Sequence, residues 1–323
     1  MSSDIIDLAF EKLLRVESNA QIEQNFIGLM RRALAGKQLN NTSNQTSRWA
    51  RLPGLCCQAA GGDPRWVESL TAAWLLFYRA ANIMDSVEDQ DLPDDWWQDL
   101  GPPTAINVSS GLFFTAAMVL NELYTEEETR QQAREVINSF YRGFIAMCGG
   151  QQLDLATPNP TLDQSLNIAR YKSGEFFGLA CQAGAQLATQ DERVLAAYKD
   201  FGSKIGVLVQ VIDDLEEIRL IGSNDLLIEP AKLRKSLPIV YAFDVLSNPE
   251  QERLNELLGA IGSDPAAAAE FLNIIDASGA VLYLMAEVER LQSQAKASLE
   301  TAQALEPARA ELMEMVPDLR LIQ

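Results

Sequence analysis

Two acidic stretches of the sequence continue helical faces that are otherwise apolar. In the first stretch, apolar residues recur at steps of three and four, the spacing of a helix that buries one side. They are Val67, Leu70, Trp74, Phe77 and Ala81. The next two steps along this face reach Asp85 and Asp89. Because a buried carboxylate needs a partner, the two acids predict a bound cation or a water-filled cavity beside the helix.

The stretch "GSKIGVLVQVIDDLEEI" repeats this arrangement further along the chain. Gln210, Asp213 and Glu217 share one face of the predicted helix, within an otherwise apolar run. Mg²⁺ favours such sites, since it takes few protein carboxylates and keeps waters or phosphate oxygens as its other ligands. Two clusters facing one cavity would hold a diphosphate through a small group of metal ions. For either run taken singly, the alternative is a solvated helix end.

Charge and histidine content narrow the possible chemistry. The formal net charge of −19 argues against a nucleic-acid partner and against adhesion to anionic lipid, because both require clustered Lys and Arg. The chain has no histidine, which excludes histidine-dependent triads, imidazole zinc sites and imidazole acid–base catalysis. Any reaction must therefore use carboxylates, lysine, metal ions or groups of the substrate itself.

The sequence shows no targeting or membrane-spanning segment. The start "MSSDIIDLAF" lacks a basic region followed by an apolar one, and no run of about 18 apolar residues occurs. A cytoplasmic protein without a membrane span is therefore expected. The four cysteines, Cys56, Cys57, Cys148 and Cys181, have no CxxC spacing and are expected to be reduced and buried.

Apolar spacing of three and four runs through most of the chain and predicts an all-α fold. The predicted helices cover residues 4–35, 64–90, 106–124, 126–150, 162–188, 191–220, 230–246, 250–261, 265–276 and 279–305. Thr125 with Glu128, and Ser247 with Glu250, are typical of helix N-terminal caps. No linker divides the sequence, so a single domain over residues 1–323 is expected, with residues 36–48 as a polar loop.

Three basic residues stand beside apolar helical stretches. Lys172 precedes a Ser-Gly pair in "ARYKSGEFF", and Arg234 and Lys235 lie in "KLRKSLP" before an apolar helix. A single lysine is usually exposed to solvent and without a special role. In combination with the two acid clusters, these cations could hold phosphate oxygens.

These ordered motifs resemble the trans-isoprenyl diphosphate synthases, the polyprenyl synthetase family. "DSVED" stands where that family has its first Asp-rich motif, DDxxD, and "QVIDDLEE" resembles the second. "GQQLDL" is similar to its GQxxDL segment, "YKSGEFFGLACQAGA" to its KTG segment, and "NDLLIEPAKLRKSLP" to its DLxxxKxTLP stretch. The resemblance begins near residue 50 and is weakest over residues 1–50. It implies one isoprenoid-synthase-type helical bundle around a central cavity, and a homodimer.

The resemblance implies a role for each matching acid. The family's metal ligands correspond to Asp85, Asp89, Asp213 and Glu217, with Glu88 as a further candidate. Ser86 replaces the middle acid of the first motif. Asp214 matches the second acid of the second motif and is an expected catalytic residue together with Asp85, Asp89 and Asp213. Mg²⁺ is the implied cofactor, with up to three ions bound together with the substrate.

The resemblance also implies a diphosphate site and a prenyl pocket. Lys172 corresponds to the catalytic lysine that holds the allylic diphosphate, and Arg234 stands at the family's later lysine, with Lys235 next to it. Ser173 matches a residue whose backbone carbonyl faces the carbocation. The polar pocket positions correspond to Gln151, Asp154 and Gln210.

The implied reaction is the metal-triggered loss of diphosphate from an allylic prenyl diphosphate. Carbonyl and amide dipoles in a dry cavity would stabilise the carbocation until the alkene of isopentenyl diphosphate captures it. The small residues Ala80 and Ala81 replace the aromatic floor of short-chain members, so Phe77 or Trp74 would close the pocket instead. Since each helical turn adds about 5.4 Å, products of roughly C15 to C25 are expected.

The segments that hold isopentenyl diphosphate in the family are altered. "TSNQTSRWARLP" replaces GKRxRP and leaves only Arg48 and Arg51 as substitutes, while Asp99 and Leu100 take the places of two arginines after the first motif. Each lost charged hydrogen bond should cost about 1.5 to 3 kcal/mol. Two alternatives to elongation therefore stay open. One is a non-elongating enzyme, a terpene cyclase or a prenyltransferase to an aromatic or peptide acceptor; the other is a non-catalytic subunit or helical interaction protein.

Trp96 and Trp97 lie in the acidic stretch "QDLPDDWWQDLGPP", near the expected mouth of the cavity. A surface or dimer role is expected for them before a role as a platform for the acceptor. As exposed paired tryptophans they would favour a partner or an apolar ligand over plain solvent.

Overall fold

The computed structural model describes residues 7–12, 21–35, 48–89, 97, 99–125, 127–221 and 233–318. All regular structure in these ranges is helical, which confirms the all-α prediction. In chain order the helices are α1 (Gln21–Ala35), α2 (Leu52–Ala59), α3 (Glu68–Glu88), α4 (Pro102–Leu120), α5 (Arg130–Ala156), α6 (Leu162–Ala169), α7 (Glu175–Gln186), α8 (Glu192–Leu220), α9 (Leu237–Val245), α10 (Asn248–Leu258), α11 (Pro265–Ala277), α12 (Ala280–Thr301) and α13 (Ala308–Glu314). Short 3₁₀-helices cover Pro64–Val67 and Asn121–Tyr124, and a π-helical turn covers Arg170–Gly174.

Two of these helices, α2 and α13, are missing from the set predicted from sequence. α2 is eight residues long, starts with a proline in its first turn and buries six of its residues, so it has no polar face to reveal a helical period. α13 has seven residues, which is about two turns and too short for a repeating pattern.

The two predicted caps have different outcomes. Ser247 caps α10 as expected, since the Glu250 carboxylate accepts bonds from the Ser247 amide at 2.9 Å and from its hydroxyl at 2.6 Å. The start predicted at Thr125 is wrong. Its hydroxyl instead donates to the Glu122 carbonyl at 2.7 Å and closes the preceding 3₁₀-helix, and α5 begins only at Arg130.

Contacts group the chain into two compact units. The first comprises Met1–Arg142, Leu179–Lys199 and Ser298–Met315, and the second comprises Gly143–Gly178, Asp200–Ala297 and Val316–Gln323. Four of the five boundaries between them fall within α5, α7, α8 and α12, and the fifth follows α13. The expectation of a single domain stays a prediction, and so does the central cavity.

The first unit is organised around α3, which packs along α4. Gly111 of α4 lets α1 approach closely, because a β-carbon at this position would lie 2.7 Å from the Met30 sulfur. The guanidinium of Arg79 donates to the Ala33 carbonyl at 2.9 and 2.7 Å and so joins α3 to the end of α1. The helix that carries the first acid cluster is therefore held on two sides.

The second unit has its own apolar core beneath the later helices. Ile218 near the end of α8, Ile239 of α9 and Phe271 of α11 are buried in one cluster with Leu233. This cluster fixes α9, which follows the basic pair of residues 234–235, against the end of α8, which carries the second acid cluster.

One described helical stretch, Pro102–Tyr124, is long and apolar enough to cross a membrane, and 44% of its most apolar window is buried inside the protein. α11 and α12 pass the same test only if the two are counted as one span with a 54° bend. Both findings concern length and composition, and core helices of globular proteins share these properties.

Candidate active site

The first acid cluster lies at the C-terminal end of α3. Asp85 and Asp89 are half-buried and Glu88 is exposed. The Asp89 amide donates to the Asp85 carbonyl at 2.8 Å, so the helical path continues to Asp89. Because the C-terminal end of a helix carries a partial negative charge, this position favours cations beyond the charge of the carboxylates themselves.

The side chains below Asp85 on α3 change from small to aromatic. Ala81 is half-buried, Ala80 is fully buried, and the Ser109 hydroxyl donates to the Ala80 carbonyl at 2.7 Å. Phe77 is 4% exposed, and Trp74 is fully buried, with its ring 5.8 Å from that of Tyr78. The apolar stripe that the sequence predicts is present, and its acids stand at its outer end.

The second acid cluster lies on α8 and contains two neighbouring acids in different environments. Asp214 is 5% exposed, and its two carboxylate oxygens accept bonds from the Gln210 side chain and from the Leu237 amide, both at 2.8 Å. Asp213 is exposed and has no hydrogen-bond partner among the residues that the structure describes. Asp214 therefore anchors the start of α9, whereas the Asp213 carboxylate remains open to a ligand.

Both acids have raised pKa values. Loss of surrounding water, together with the charges of Asp214 and Glu216, raises the pKa of Asp213 to about 7. The Asp213 side chain is exposed, so solvent weakens the contribution of burial to this rise in pKa. The neighbouring negative charges therefore account for a larger share of it. Burial raises the pKa of Asp214 to about 6, against the two hydrogen bonds that lower it. A cation bound here would relieve the repulsion between the two acids.

Asp154 joins two lysines in the second unit. Its carboxylate accepts bonds from Lys172 Nζ at 3.0 Å and from Lys235 Nζ at 3.1 Å, and its carbonyl accepts a second bond from Lys235 at 2.8 Å. Burial alone would raise the pKa of Asp154, but the two ammonium groups lower it below its usual value. The cluster thus joins α5, the π-helical turn and the residues before α9.

The backbone around Lys172 is held between two glycines. A β-carbon on Gly206 of α8 would lie 2.2 Å from the Ser173 carbonyl oxygen, and one on Gly150 of α5 would lie 3.0 Å from the Lys172 amide nitrogen. The segment forms a π-helical turn, a feature that often marks functional sites. The Ser173 carbonyl therefore lies against α8, one turn before Gln210.

Arg234 has partners of its own beside this cluster. Its guanidinium donates to the side chains of Asn159 at 2.5 Å and Asn255 at 2.6 Å, and it lies 4.2 Å from the centre of the Phe243 ring. Of the two consecutive basic residues, Lys235 is the one whose ammonium group shares the Asp154 carboxylate with Lys172. The assignment of Arg234 to the diphosphate stays a prediction.

The candidate substitutes for the family's missing bases, Arg48 and Arg51, are bound to α13 within the first unit. The Arg51 guanidinium pairs with the Glu311 carboxylate. Arg48 donates to the Glu314 carbonyl and lies 5.1 Å from the centre of the Trp49 ring, and burial lowers its pKa.

The acidic stretch before α4 differs from expectation at one tryptophan. Trp97 is only 4% exposed and is part of the core, so it offers no exposed ring to a ligand, while Trp96 lies outside the described residues. Asp99 and Leu100, which replace two arginines of the family, are both exposed.

Sequence reasoning missed the packing role of Gly150 and the ion pairs of Asp154. For the first, the available signal was a glycine at the end of a predicted helix and at the start of "GQQLDL", because glycine destabilises a helix unless something else requires it. The amide atoms of Gln151, the neighbour of Gly150, are buried without a hydrogen-bond partner in the described part of the chain. This side chain is the kind of buried dipole that a bound ligand would satisfy.

The described residues form no metal site from protein groups alone, since no three Asp, Glu, Cys or His side chains among them are grouped to hold an ion. The donors still suit Mg²⁺, which binds to one or two carboxylates and completes its shell with waters and phosphate oxygens. The exposed Asp213 and the half-buried Asp85 and Asp89 fit this requirement.

The chain is similar in sequence to one family of known proteins. The family model described as Polyprenyl synthetase matches residues 65–275. A short chain isoprenyl diphosphate synthase of Methanothermobacter thermautotrophicus is 26% identical over 282 residues, which is 83% of each chain. A second enzyme of that name, from Methanocaldococcus jannaschii, is 26% identical over 166 residues, and the match spans about half (49%) of each chain.

Solved structures show the same fold. The geranylgeranyl pyrophosphate synthetase of Pyrococcus horikoshii superposes with a TM-score of 0.80 at 17% identity, covering 99% of this chain and 97% of that one. With the family model matching about two thirds of the sequence, the resemblance inferred from the motifs is confirmed: the chain belongs to the polyprenyl synthetase family.

Proposed function

We propose that the chain is a Mg²⁺-dependent prenyltransferase that ionises an allylic prenyl diphosphate and condenses it with isopentenyl diphosphate. The observation that carries this proposal is the cluster of Lys172, Asp154 and Lys235, in a member of this family whose second acid helix also carries an exposed carboxylate, Asp213. The names of its relatives, isoprenyl diphosphate synthases, support the same reaction class.

Asp85, Asp89, Asp213 and Glu217 would hold the magnesium ions, with Glu88 as a further ligand. When bound, the ions neutralise the charge that develops on the departing diphosphate. The carboxylates supply negative charge at the end of one helix and after an apolar run of a second helix, so each ion could keep waters and diphosphate oxygens as further ligands. Up to three ions, bound together with the substrate, are proposed.

The two lysines would bind the allylic diphosphate directly. Their side chains are 19% and 27% exposed, so they are partly desolvated and still accessible to a ligand. Asp154 orients both ammonium groups, and each ammonium has three donors, so a bond to Asp154 does not use up its capacity. Charge-assisted bonds to phosphate oxygens are the strongest hydrogen bonds that such groups form.

The carbocation would form beside oriented dipoles. We assign this role to the Ser173 carbonyl and to the side-chain amides of Gln151 and Gln210. The π-helical turn fixes the Ser173 peptide, and Gln210 is itself held by its bond to Asp214. Fixed dipoles stabilise a developing charge without having to reorganise during the reaction.

Lys235→Ala is expected to lower kcat/KM for the allylic substrate by roughly 10- to 100-fold, the loss of one charge-assisted bond of about 1.5 to 3 kcal/mol. Lys204→Ala is the matched control, since Lys204 of the same unit is also paired with a carboxylate, that of Asp200 at 2.7 Å. It is expected to leave kcat/KM and thermal stability close to the wild-type values, because an exposed ion pair contributes about 0 to 1 kcal/mol. Steady-state kinetics and thermal unfolding of both variants make the comparison, and equal kinetic losses would contradict the assignment of Lys235.

Products of roughly C15 to C25 are proposed, because the small residues Ala80 and Ala81 stand below Asp85 and the buried Phe77 ring follows one turn further along α3. One observation keeps a non-elongating reaction as a second candidate. Asp99 and Leu100 offer no positive charge for a second diphosphate, and Arg51 is paired with Glu311. The relatives named above favour elongation over this alternative and over a non-catalytic role.

Incubation with C10, C15 or C20 allylic diphosphates, with and without isopentenyl diphosphate and Mg²⁺, tests the proposal. Elongation predicts longer prenyl diphosphates only when both isopentenyl diphosphate and Mg²⁺ are present. Diphosphate release without isopentenyl diphosphate, accompanied by an alcohol, a cyclised product or a modified acceptor, would favour the second candidate. No turnover under any condition would contradict both.

We also propose a homodimer that uses the exposed stripe of α4, together with a cytoplasmic location. Ile106, Phe114 and Met118 stand on one face at steps of four and eight, and are 42%, 73% and 58% exposed. An apolar stripe of this kind is suited to a second copy of the chain. Phe114→Glu is expected to shift the mass measured by light scattering from dimer to monomer, with Glu127→Gln, an exposed change elsewhere in the same unit, as control. An unchanged dimer would place the interface elsewhere.

A further inference from the structure

A tight turn precedes α9, and its two central side chains contact different parts of the second unit. The Ser236 amide donates to the Leu233 carbonyl at 3.1 Å and so closes the turn. Its central residues are Arg234 and Lys235. Leu233 is fully buried in the core of the unit, so the turn has a fixed starting point. Lys235 extends to the carboxylate of Asp154, whereas Arg234 does not.

The Arg234 guanidinium joins three separate elements of this unit. Its Nε donates at 2.5 Å to the side chain of Asn159, in the connection between α5 and α6, and its Nη1 donates at 2.6 Å to Asn255 of α10. The guanidinium carbon lies 4.2 Å from the centre of the Phe243 ring of α9, within the range of a cation–π contact. These contacts use the planar fork and the face of the guanidinium together, which the ammonium group of a lysine cannot do.

Both central residues of the turn are attached to the same short segment of the chain. Asn159 lies five residues after Asp154, and the Thr157 amide donates to the Asp154 carbonyl at 3.2 Å, so the segment is itself ordered. Lys235 bonds to Asp154, and Arg234 bonds to Asn159. One attachment would let the turn pivot, whereas two attachments fix its orientation against the end of α5.

The bonds of Lys235 to Asp154 cannot hold the turn alone when a ligand arrives. The Lys235 ammonium has three donors and bonds to the Asp154 carbonyl at 2.8 Å and to its carboxylate at 3.1 Å. A diphosphate would compete with Asp154 for these donors, because its oxygens are strong acceptors. The contacts of Arg234 involve no atom of Lys235 or Asp154, so they persist while those bonds are exchanged.

We infer that Arg234 is a positioning residue, which fixes the turn against the end of α5 so that the Lys235 ammonium is held in place for the diphosphate. This inference rests on the proposed function, because it assumes that Lys235 binds the diphosphate. It replaces the expectation that Arg234 meets the diphosphate itself. A group that is held in its binding position loses less freedom when the ligand binds, and its affinity is higher for that reason.

The test measures the dissociation constant of inorganic diphosphate by calorimetry, with the full chain and Mg²⁺. Arg234→Ala is expected to weaken binding by roughly tenfold, and Arg234→Lys by nearly as much, since lysine restores the charge but not the three contacts. The double variant Asn159→Ala/Asn255→Ala keeps Arg234 and should lose affinity by a similar factor. In the Lys235→Ala background, Arg234→Ala should change the constant by less than about twofold, because the group that it positions is gone.

Arg253→Ala and Arg253→Lys provide the matched control. Arg253 of α10 is also an arginine with several bonds, since it donates to Glu270 at 2.7 and 2.6 Å and to Glu256 at 3.1 Å. Both variants should keep the wild-type affinity, and a loss equal to that of Arg234→Ala would overturn the inference. Thermal unfolding shows which variants are folded. If Arg234→Ala unfolds, Asn159→Ala alone makes the comparison, because it removes one contact at an exposed side chain.

A direct contact between Arg234 and the diphosphate predicts the opposite results. Arg234→Lys would then keep most of the affinity, the two asparagine changes would leave it unchanged or increase it, and the losses of Arg234→Ala and Lys235→Ala would multiply. Any of these results overturns the inference and leaves the proposed function standing. If the wild type binds no diphosphate, the proposed function itself fails, and the inference fails with it.

Discussion

Asp213→Ala is expected to lower kcat/KM by about 10²- to 10³-fold and to raise the Mg²⁺ concentration needed for half of the maximal rate. Asp213 is exposed on α8 and has no hydrogen-bond partner among the described residues, so its carboxylate is available to a cation. The loss would affect the step in which charge develops on the leaving diphosphate. Titration of the rate against Mg²⁺ concentration, for the wild type and the variant, measures both effects.

Asp214→Ala should behave differently although the two acids are neighbours. It would leave the Leu237 amide and the Gln210 side chain without their acceptor, each costing about 1 to 3 kcal/mol of unfolding free energy. Its main effect should therefore be a lower unfolding temperature, with reduced kcat because α9 loses its anchor. If Asp213→Ala lost stability and Asp214→Ala changed only the Mg²⁺ dependence, the two roles would have to be exchanged.

Asp200→Ala is the control for the removal of a charge. Asp200 is an exposed acid on the same helix, and its partner is Lys204 at 2.7 Å. Such surface pairs contribute about 0 to 1 kcal/mol, so rate and Mg²⁺ dependence should stay at the wild-type level. A similar loss of activity in this variant would mean that the total charge of α8, and not the position of Asp213, controls the reaction.

Helical periodicity predicted the parts of the site that depend on a single helix. The steps from Val67 to Asp85 give the side of α3 that is buried, because neighbours at three and four residues share a face whatever surrounds the helix. The end of α3 near Asp89 and the acid face of α8 follow for the same reason. The motifs then identified the family correctly.

Features that depend on contacts between distant residues could not be predicted from one sequence. Asp154 meets Lys172 and Lys235 across 18 and 81 positions, so no local pattern reveals the ion pairs. The resemblance gave Asp154 a place in the prenyl pocket, whereas the structure shows it paired with two cations. The sequence could not show which of Arg234 and Lys235 lies beside Lys172, because consecutive side chains point in different directions. In the structure, Lys235 bonds to Asp154, whereas Arg234 bonds to Asn159.

Tertiary packing also overrode two local expectations. The sequence "RYKSG" lies within the helix predicted over residues 162–188, yet it forms a π-helical turn where the glycines of α5 and α8 meet its backbone. Trp97, placed in an acidic stretch with turn-forming residues, was expected at the surface and is 4% exposed. In both cases a neighbouring element, absent from the local sequence, determines the outcome.

Gly206→Ala is expected to lower kcat by about 100-fold and the free energy of unfolding by about 1 to 3 kcal/mol. The added methyl group would lie 2.2 Å from the Ser173 carbonyl oxygen and 2.5 Å from its carbon, so the backbone of one of the two helices has to move. A shift of this size displaces the Ser173 peptide and the adjacent Lys172, which orient the substrate in the proposed reaction. Loss of geometry by about 1 Å is sufficient for a 100-fold effect on rate.

Two consecutive glycines of α5 provide the comparison that separates packing from helix propensity. A β-carbon on Gly150 would lie 2.8 Å from the Tyr171 β-carbon and 3.0 Å from the Lys172 nitrogen, whereas one on Gly149 meets nothing within 4 Å. Both changes improve helix propensity by the same amount, about 0.5 to 1 kcal/mol. Gly149→Ala should therefore raise the unfolding temperature and keep full activity, while Gly150→Ala and Gly206→Ala should both lose activity. Full activity in Gly150→Ala and Gly206→Ala would show that the π-helical turn tolerates displacement. The position of the Ser173 carbonyl would then not determine the rate.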